Sequence, residues 1–360
     1  MVTLSGGCRL LTCSVWMGAA ISAEAASAWM EHVMLEGDLR LRHETIRVEP
    51  GADDDRARYR ARFGFRVDAT ESVEFGIRIA SGEGSPVSAN LDFGESFSLD
   101  NIRIDRAYVG WSVNNALTLT VGKMKNPLHR AGDTPLLWDS DLNPEGVAAA
   151  LESGRFFGTA GAFRLDYRDD GVESRLYAAQ AGARFDFSES STLSAGIGWF
   201  DYTDIAGNSP LSGDDASGNS VDVAGNYLND YDVLELFAEY ESAVGDWPVI
   251  VFAEWARNTR AALADTAYAI GVKAGEAEGA GSTEWSWEWR DTEADALVGI
   301  LTDSDLADGN TDSRGHVLRG SYMVTDHVAL AATLIFSEYG LFNDSLTDFD
   351  RVMIDIEFSF

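Results

Sequence analysis

The chain has 360 residues, and its 59 Asp and Glu against 27 Lys and Arg give a formal net charge of −32. Binding to nucleic acid is not expected of such an acidic chain, because that function requires a basic surface. The two cysteines, Cys8 and Cys13, both lie near the amino terminus, so the rest of the chain offers neither disulfides nor thiolate metal ligands. The length allows two ordinary domains or one large barrel.

The first 28 residues have the features of a secretory signal peptide. Arg9 makes the amino terminus weakly positive, residues 10–21 are apolar, and small-residue cleavage sites end at Ala25 and Ala28. We predict cleavage after Ala28, with Ala25 as the alternative. A lipoprotein signal at Cys13 fits less well, because most of the apolar run follows the cysteine. No later segment contains the roughly 18 consecutive apolar residues that a transmembrane helix needs.

Alternation of apolar and polar residues begins at residues 35–44 and is clearest in 56–68, which read RARYRARFGFRVD. Period-two alternation indicates a β-strand, whose successive side chains point to opposite faces. In 56–68 one face carries five arginines and the other is apolar. A soluble sandwich also leaves a polar face in water, so this strand alone does not fix the architecture. Its arginine face suits the wall of a water-filled barrel whose apolar face meets lipid.

The same unit of strand, short turn, strand and long polar loop repeats along the chain. The other predicted strands are 73–80, 105–113, 117–121, 145–152, 156–168, 174–187, 192–204, 231–244, 248–260, 266–277, 282–293, 314–325, 327–339 and 349–360. The total of sixteen strands, with short and long connections alternating, predicts an all-β, antiparallel transmembrane β-barrel with short periplasmic turns and long extracellular loops. The longest loops, 205–230 and 294–312, are rich in Gly, Asn, Ser and Asp and are expected to be solvated.

The last strand carries a possible assembly signal. Residues 351–360 read RVMIDIEFSF, which places Phe358 and Phe360 on the apolar face. A terminal aromatic residue on such a strand resembles the signal by which outer-membrane proteins are recognised by the barrel-assembly machinery. The alternative is an ordinary last strand.

Three internal segments add a family resemblance: DRAY at 105–108, GKMKNP at 122–127 and WDSDLNPEGV at 138–147. Together they resemble the putative porin family of Gram-negative bacteria, over essentially the whole mature chain, residues 29–360. The resemblance implies a diffusion pore in the cell outer membrane, in contact with lipid and lipopolysaccharide, and a homotrimer.

Residues 124–145 form the third long loop of the predicted barrel. The resemblance to general porins implies that this loop folds into the barrel and constricts it. Leu136, Leu137 and Trp138 are expected to anchor the loop against the wall. Its candidate constriction residues are the acidic Asp133, Asp139, Asp141 and Glu145.

Arginines on the first four strands are expected to face the lumen. They are Arg40, Arg42, Arg58, Arg60, Arg62, Arg66, Arg78 and Arg106. A basic wall opposite an acidic loop would create a transverse field at the narrowest point and select solutes by charge and dipole. The alternative is that these arginines only pair with neighbouring carboxylates such as Asp38 and Glu44, which would give a plug-like polar lumen.

Trp285, Trp287 and Trp289 alternate with charged residues and are expected on the outer surface. If they faced the lumen as a sugar slide, Glu288 and Arg290 would face lipid, at a cost of roughly 2–4 kcal/mol for an arginine near the midplane.

An enzyme, a cofactor and a metal site are not predicted. The five histidines lack metal-ligand spacing, and neither a nucleophile elbow nor a P-loop is present. Clusters of aspartates in the loops lack the EF-hand pattern. The sequence therefore predicts a passive channel for small hydrophilic solutes. An anion- or phosphate-preferring pore and a non-conducting structural or adhesion barrel are the alternatives.

Overall fold

The computed structural model describes residues 32–94, 99–168, 171–213, 215–342 and 345–360. The predicted signal peptide, residues 1–28, lies outside these ranges. Among the described residues, no helix is long and apolar enough to cross a membrane. The described helical segments are short 3-10 turns at Ala131–Asp133, Leu211–Gly213, Gly299–Leu301 and Leu306–Gly309.

Sixteen strands form the barrel, as the sequence predicts. They are β1 (Val33–Glu49), β2 (Asp54–Thr70), β3 (Val73–Ser81), β4 (Ile102–Ser112), β5 (Leu117–Lys123), β6 (Glu145–Ser153), β7 (Phe156–Tyr167), β8 (Glu173–Ser188), β9 (Ser191–Thr203), β10 (Tyr231–Val244), β11 (Trp247–Asn258), β12 (Thr266–Gly275), β13 (Thr283–Thr292), β14 (Ser313–Thr325), β15 (Val328–Tyr339) and β16 (Thr347–Ser359). A two-residue strand, Leu91–Asp92, pairs with β2 inside a loop.

The sheet is closed and antiparallel. Each strand pairs with its neighbours in sequence, and β16 pairs with β1 from Asp38 opposite Ser359 to Glu49 opposite Asp348. We call this pairing of the first and last strands the seam. The terminal residue extends it, because Phe360 and Gly37 exchange two backbone hydrogen bonds of 3.1 and 3.2 Å. Closure leaves no long unpaired strand edge, which a barrel in lipid requires.

The strands place apolar side chains on the outer surface and polar side chains inside, which is the reverse of a soluble protein. On β16, the outward Val352, Ile354 and Ile356 are 40%, 50% and 39% exposed, whereas the inward Arg351 and Asp355 are buried. On β13, Trp285 is exposed and the inward Glu288 and Arg290 are buried, as the sequence predicts. An apolar exterior around a polar interior is the pattern of a barrel whose outer surface meets lipid.

Long loops gather at one end of the barrel, and we name four of them: loop 2 (82–101), loop 3 (124–144), loop 5 (204–230) and loop 7 (293–312). The prediction that the two longest loops are solvated is wrong for loop 7 and for part of loop 5, whereas residues 221–225 of loop 5 are exposed as predicted. Ile205, Leu211 and Tyr227 of loop 5 are buried, as are Leu297, Val298, Ile300 and Leu301 of loop 7. These apolar residues turn both loops inward, where they cover one side of the barrel mouth.

A buried polar residue, Asn219, satisfies backbone groups where loop 5 contacts loop 7. Asn219 of loop 5 donates from Nδ2 to the carbonyls of Ala294 and Leu297, both at 2.7 Å, and accepts from the N–H of Gly299 at 2.9 Å. A buried backbone polar group needs such a partner. Part of the polar composition therefore serves hydrogen bonding between the buried segments of the two loops.

The seam provides a test of the closed barrel. Arg42 of β1 donates two hydrogen bonds of 2.8 Å to the carboxylate of Asp355 on β16, and both side chains are buried. We expect Arg42→Met to leave that carboxylate without its main partner and to destabilise the barrel by about 3–5 kcal/mol. The measurement is the temperature at which the folded band converts to the unfolded band on a denaturing gel.

Arg47→Met is the matched control on the same strand, because the pair of Arg47 with Asp53 is half exposed. A surface pair contributes little, so this variant should convert close to the wild-type temperature. Equal conversion temperatures for the two variants would contradict the buried seam.

Candidate functional site

Loop 3 leaves β5 and crosses the interior of the barrel. Near its start, the carbonyl of Pro127 accepts a hydrogen bond from Thr159 of β7 at 3.1 Å. The backbone of His129 exchanges two hydrogen bonds of 2.8 and 2.9 Å with the side-chain amide of Gln180 on β8. Further along, Asp133 pairs with Lys273 of β12 at 2.8 Å. These contacts reach inward side chains on strands far from β5, so the loop lies inside the lumen.

An apolar anchor holds the second half of loop 3. Leu136, Leu137 and Trp138 are 2–3% exposed, and the Trp138 ring packs against Phe200 and Tyr202 of β9 at centroid distances of 5.5 and 6.3 Å. They join a buried cluster that includes inward residues of β6 to β12 and the apolar residues of loops 5 and 7. One side of the lumen is therefore filled by packed side chains.

The tip of loop 3 is a tight turn at Ala131–Asp133, and carboxylates of the wall hold its polar groups. The N–H of Gly132 donates to Glu239 of β10, and the hydroxyl of Thr134 donates to Glu288 of β13. Gly132 has a φ of 58°, and a Cβ there would lie 2.1 Å from Phe252 of β11. Glycine is therefore required by both backbone conformation and space.

Opposite the apolar anchor, loop 3 meets β2. Asp141 accepts from Arg60 at 3.3 Å and from Arg62 at 3.1 Å. The same two arginines also contact Asp38 of β1 at 3.1 and 2.7 Å. The two carboxylates thus lie on either side of two guanidinium groups, and the loop is joined to the wall by charge.

The inward arginines of β1 to β4 form what we call the arginine wall. Its members are the eight predicted residues Arg40, Arg42, Arg58, Arg60, Arg62, Arg66, Arg78 and Arg106, all on inward positions. Six have carboxylate partners among the described residues. Arg40 and Arg106 instead donate to the neutral amides of Asn90 and Asn143, at 2.7 and 2.8 Å. A role of the wall in selectivity stays a prediction.

Of the four acidic residues predicted for the constriction, Asp141 alone has an ion pair with the arginine wall in the described structure. Asp133 instead contacts the opposite side through Lys273. Asp139 is buried and accepts from the N–H groups of Asp141 and Ser304 at 2.7 and 3.0 Å. Burial, together with the neighbouring Asp303 carboxylate, raises the pKa of Asp139 well above its usual value.

The placement of Glu145 in the constriction is wrong. Glu145 begins β6 on the same face as the exposed Val147 and Leu151, and it pairs with Lys123 at 2.9 Å. Period-two alternation from Val147 puts Glu145 on the outer face. The loop thus ends one residue earlier than predicted.

Loop 7 supplies site residues that the sequence does not reveal. Asp305 lies 3.2 Å from Arg351 of β16 and 3.8 Å from Arg42, and Asp303 pairs with Arg290 of β13 at 2.5 Å. Burial alone would raise the pKa of Asp305, but Arg351 and Arg42 outweigh it and lower the pKa to about 2. The carboxylate therefore stays charged at neutral pH and holds loop 7 against the wall.

A cavity of about 350 Å³ remains beside these contacts. Loops 3 and 7 border it on one side, and the inward faces of β1, β2 and β13 to β16 border it on the other. Its strand wall carries small neutral residues at Ser286, Ser321, Ala331 and Thr333. In this cavity, polar side chains of both signs face open space inside the lumen.

The fit of the loop tip can be tested with two glycines of similar backbone conformation. Gly132→Ala should push Phe252 aside or lift the tip, so we expect higher and noisier single-channel conductance. Gly154→Ala is the control, because Gly154 has a φ of 59° but nothing within 4 Å of an added Cβ. Planar-bilayer recording compares the two, and wild-type conductance in Gly132→Ala would contradict the seated tip.

Comparisons with known proteins agree with this geometry. A family model described as putative porin matches residues 48–225. The structure of OprB from Pseudomonas putida is similar with a TM-score of 0.61 and 13% identity, over 94% of this chain and 96% of that one. No curated protein matches the chain.

Two other solved structures have the same fold. A mutant of the Rh. blastica porin has a TM-score of 0.51 and 13% identity, over 91% of this chain and 100% of that one. A loop-deletion mutant of OmpT, an outer membrane protein of Vibrio cholerae, has a TM-score of 0.50 and 15% identity, over 91% and 99%. The chain is therefore a porin-type transmembrane β-barrel, and the resemblance to the putative porin family is confirmed over residues 48–225.

Proposed function

We propose that the barrel is an outer-membrane diffusion channel for small hydrophilic solutes, whose narrowest part lies between the arginine wall and loops 3 and 7. One observation carries this proposal: Asp141 of the inserted loop is bound by Arg60 and Arg62 of the wall. The pairing fixes an acidic loop against a basic strand inside a polar lumen. Charged side chains around a narrow opening select solutes by charge and dipole.

The charge of the cavity supports a preference for cations over anions. Carboxylates such as Glu284 and Glu357 line it without ion pairs in the described part of the chain, and acidic residues outnumber basic ones among its lining residues. Most of the arginine wall is already neutralised by its partners. The anion- or phosphate-preferring alternative would need free guanidinium groups along the whole wall.

A non-conducting barrel is the second candidate, and the packed side of the lumen favours it. The cluster formed by loops 3, 5 and 7 closes the space beside β6 to β12. The remaining cavity favours a narrow channel over a closed one. Conductance distinguishes the two candidates, because only the channel passes current.

Assembly partners are part of the same proposal. We expect export by the signal peptide, recognition of β16 and Phe360 by the barrel-assembly machinery, and a homotrimer in lipid and lipopolysaccharide. The outward position of Phe358 and Phe360, at 40% and 67% exposure, supports contact with an external partner.

The test is planar-bilayer recording of an Arg58→Ala, Arg60→Ala, Arg62→Ala variant. Removing three positive charges makes the lumen more negative. The reversal potential in a salt gradient should therefore move further towards the equilibrium potential of the cation. Conductance should rise, because the variant also frees Asp141 and loop 3. Unchanged reversal potential and conductance would contradict the constriction.

A further inference from the structure

We call each directly opposed pair of inward residues on β1 and β16 a rung of the seam. Two neighbouring rungs each place an arginine opposite an acid, but only one of them forms an ion pair. Arg42 faces Asp355, and Arg40 faces Glu357, on the paired strands β1 and β16. The first rung is closed by two hydrogen bonds of 2.8 Å. The second is open, because no described carboxylate lies within ion-pair distance of Arg40 and no described cation lies within ion-pair distance of Glu357.

The positions of Arg40 and Glu357 on the paired strands would allow an ion pair, so their separation needs another explanation. Residues directly opposite on antiparallel strands have Cβ atoms about 4.5–5.5 Å apart, and opposite charges there attract. Arg40 is held elsewhere: its Nη2 donates to Asn90 of loop 2 at 2.7 Å. An amide oxygen accepts the hydrogen bond but carries no formal charge, so Arg40 has no direct ion pair and Glu357 has none either in the described part of the chain.

Both members of the open rung line the 350 Å³ cavity. The other basic residues beside it have carboxylate partners: Arg42 has Asp355, Arg60 has Asp38 and Asp141, Lys273 has Asp133, and Arg319 has Glu288 at 3.6 Å. Glu284 also lines the cavity without an ion pair in the described part of the chain, but Arg40 and Glu357 are the unpaired cation and carboxylate that lie directly opposite each other. The size of the cavity is at the lower end of ligand pockets, which are about 300–1,000 Å³.

We propose that the open rung is a binding site for small zwitterions of the α-amino acid class. The solute carboxylate would accept from Arg40 and its ammonium would donate to Glu357, which closes the rung through the solute. A zwitterion has no net charge, so the acid-rich lumen does not repel it as it repels an anion. The inference rests on the proposed channel function and specifies a solute class for it.

Liposome swelling tests the site, with glycine as the zwitterion and ethylene glycol as a neutral solute of similar size, at neutral pH. The measured quantity is the ratio of the two swelling rates. We expect Arg40→Gln and Glu357→Gln each to lower this ratio about fivefold, as for the loss of one hydrogen bond of about 1 kcal/mol. Heat-modifiable migration on a gel verifies that each variant has folded.

Asn90→Ala adds a variant that keeps both charges. It releases Arg40, which can then pair with Glu357, so the ratio should fall although no charge is lost. The controls are Arg314→Gln and Glu338→Gln, which alter another directly opposed and closed arginine–glutamate pair, on β14 and β15. Arg314 and Glu338 lie outside the cavity, so these variants should keep the wild-type ratio.

Two results would overturn the inference. If wild-type liposomes take up ethylene glycol but Arg40→Gln and Glu357→Gln keep the wild-type ratio, the zwitterion site is wrong and the channel stands. If folded wild-type barrels pass neither solute and no ionic current, the channel and the zwitterion site are both wrong.

Discussion

A strand face that carries five arginines is stable inside a barrel only if their charges are compensated. Neighbours on that face of β2 are about 7 Å apart, and the register sets further arginines directly opposite: Arg40 faces Arg60, and Arg42 faces Arg58. Like charges in such positions destabilise a sheet. Carboxylates must therefore approach from several directions, and this requirement connects the wall, the seam and the inserted loop.

The compensating carboxylates come from distant parts of the chain. Glu44 of β1 is fully buried and contacts Arg56, Arg58 and Arg351. Asp355 comes from the last strand, and Asp141 comes from loop 3. Barrel closure brings the first two sources together, and insertion of the loop adds the third. The closed seam and the inserted position of loop 3 are thus held by the same set of charges.

The lumen is divided into two unlike sides. Beside β6 to β12, loops 3, 5 and 7 pack into an apolar cluster that leaves little space. Beside β1, β2 and β13 to β16, charged side chains and small neutral residues border an open cavity. The apolar side fixes the position of loop 3, and the charged side borders the open cavity. A solute path is therefore expected along the charged side alone.

Much of the barrel is predictable from sequence because apolar and polar residues alternate within each strand. The bounds of β10 agree with the prediction at both ends, and the outward tryptophans of β13 follow from the cost of charge in lipid. The prediction for Glu145 is wrong because loop 3 ends one residue earlier than predicted. A shift of one residue moves a side chain to the opposite face of the strand. The burial of loop 7 and of part of loop 5 is not predictable in this way, because Gly, Asn and Ser suit both solvated turns and hydrogen-bonded buried loops.

Contacts between distant residues were not predictable. Arg351 and Glu44 are 307 residues apart in the chain, and their pairing depends on the register of the closing seam. The same holds for Asp305, which resembles any loop aspartate in sequence. Its partners, Arg42 and Arg351, are defined by how loop 7 folds into the barrel. Such contacts follow from closure and loop insertion, which strand periodicity does not specify.

The division of the lumen can be measured directly by cysteine accessibility, because residues 32–360 contain no native cysteine. Ser321→Cys places a thiol on the wall of the open cavity, and Ala178→Cys places one on β8 inside the apolar cluster. A charged methanethiosulfonate reagent is added during planar-bilayer recording. The account predicts a fall in current for Ser321→Cys and no change for Ala178→Cys. An unaffected Ser321→Cys channel, or equal block of both, would contradict it.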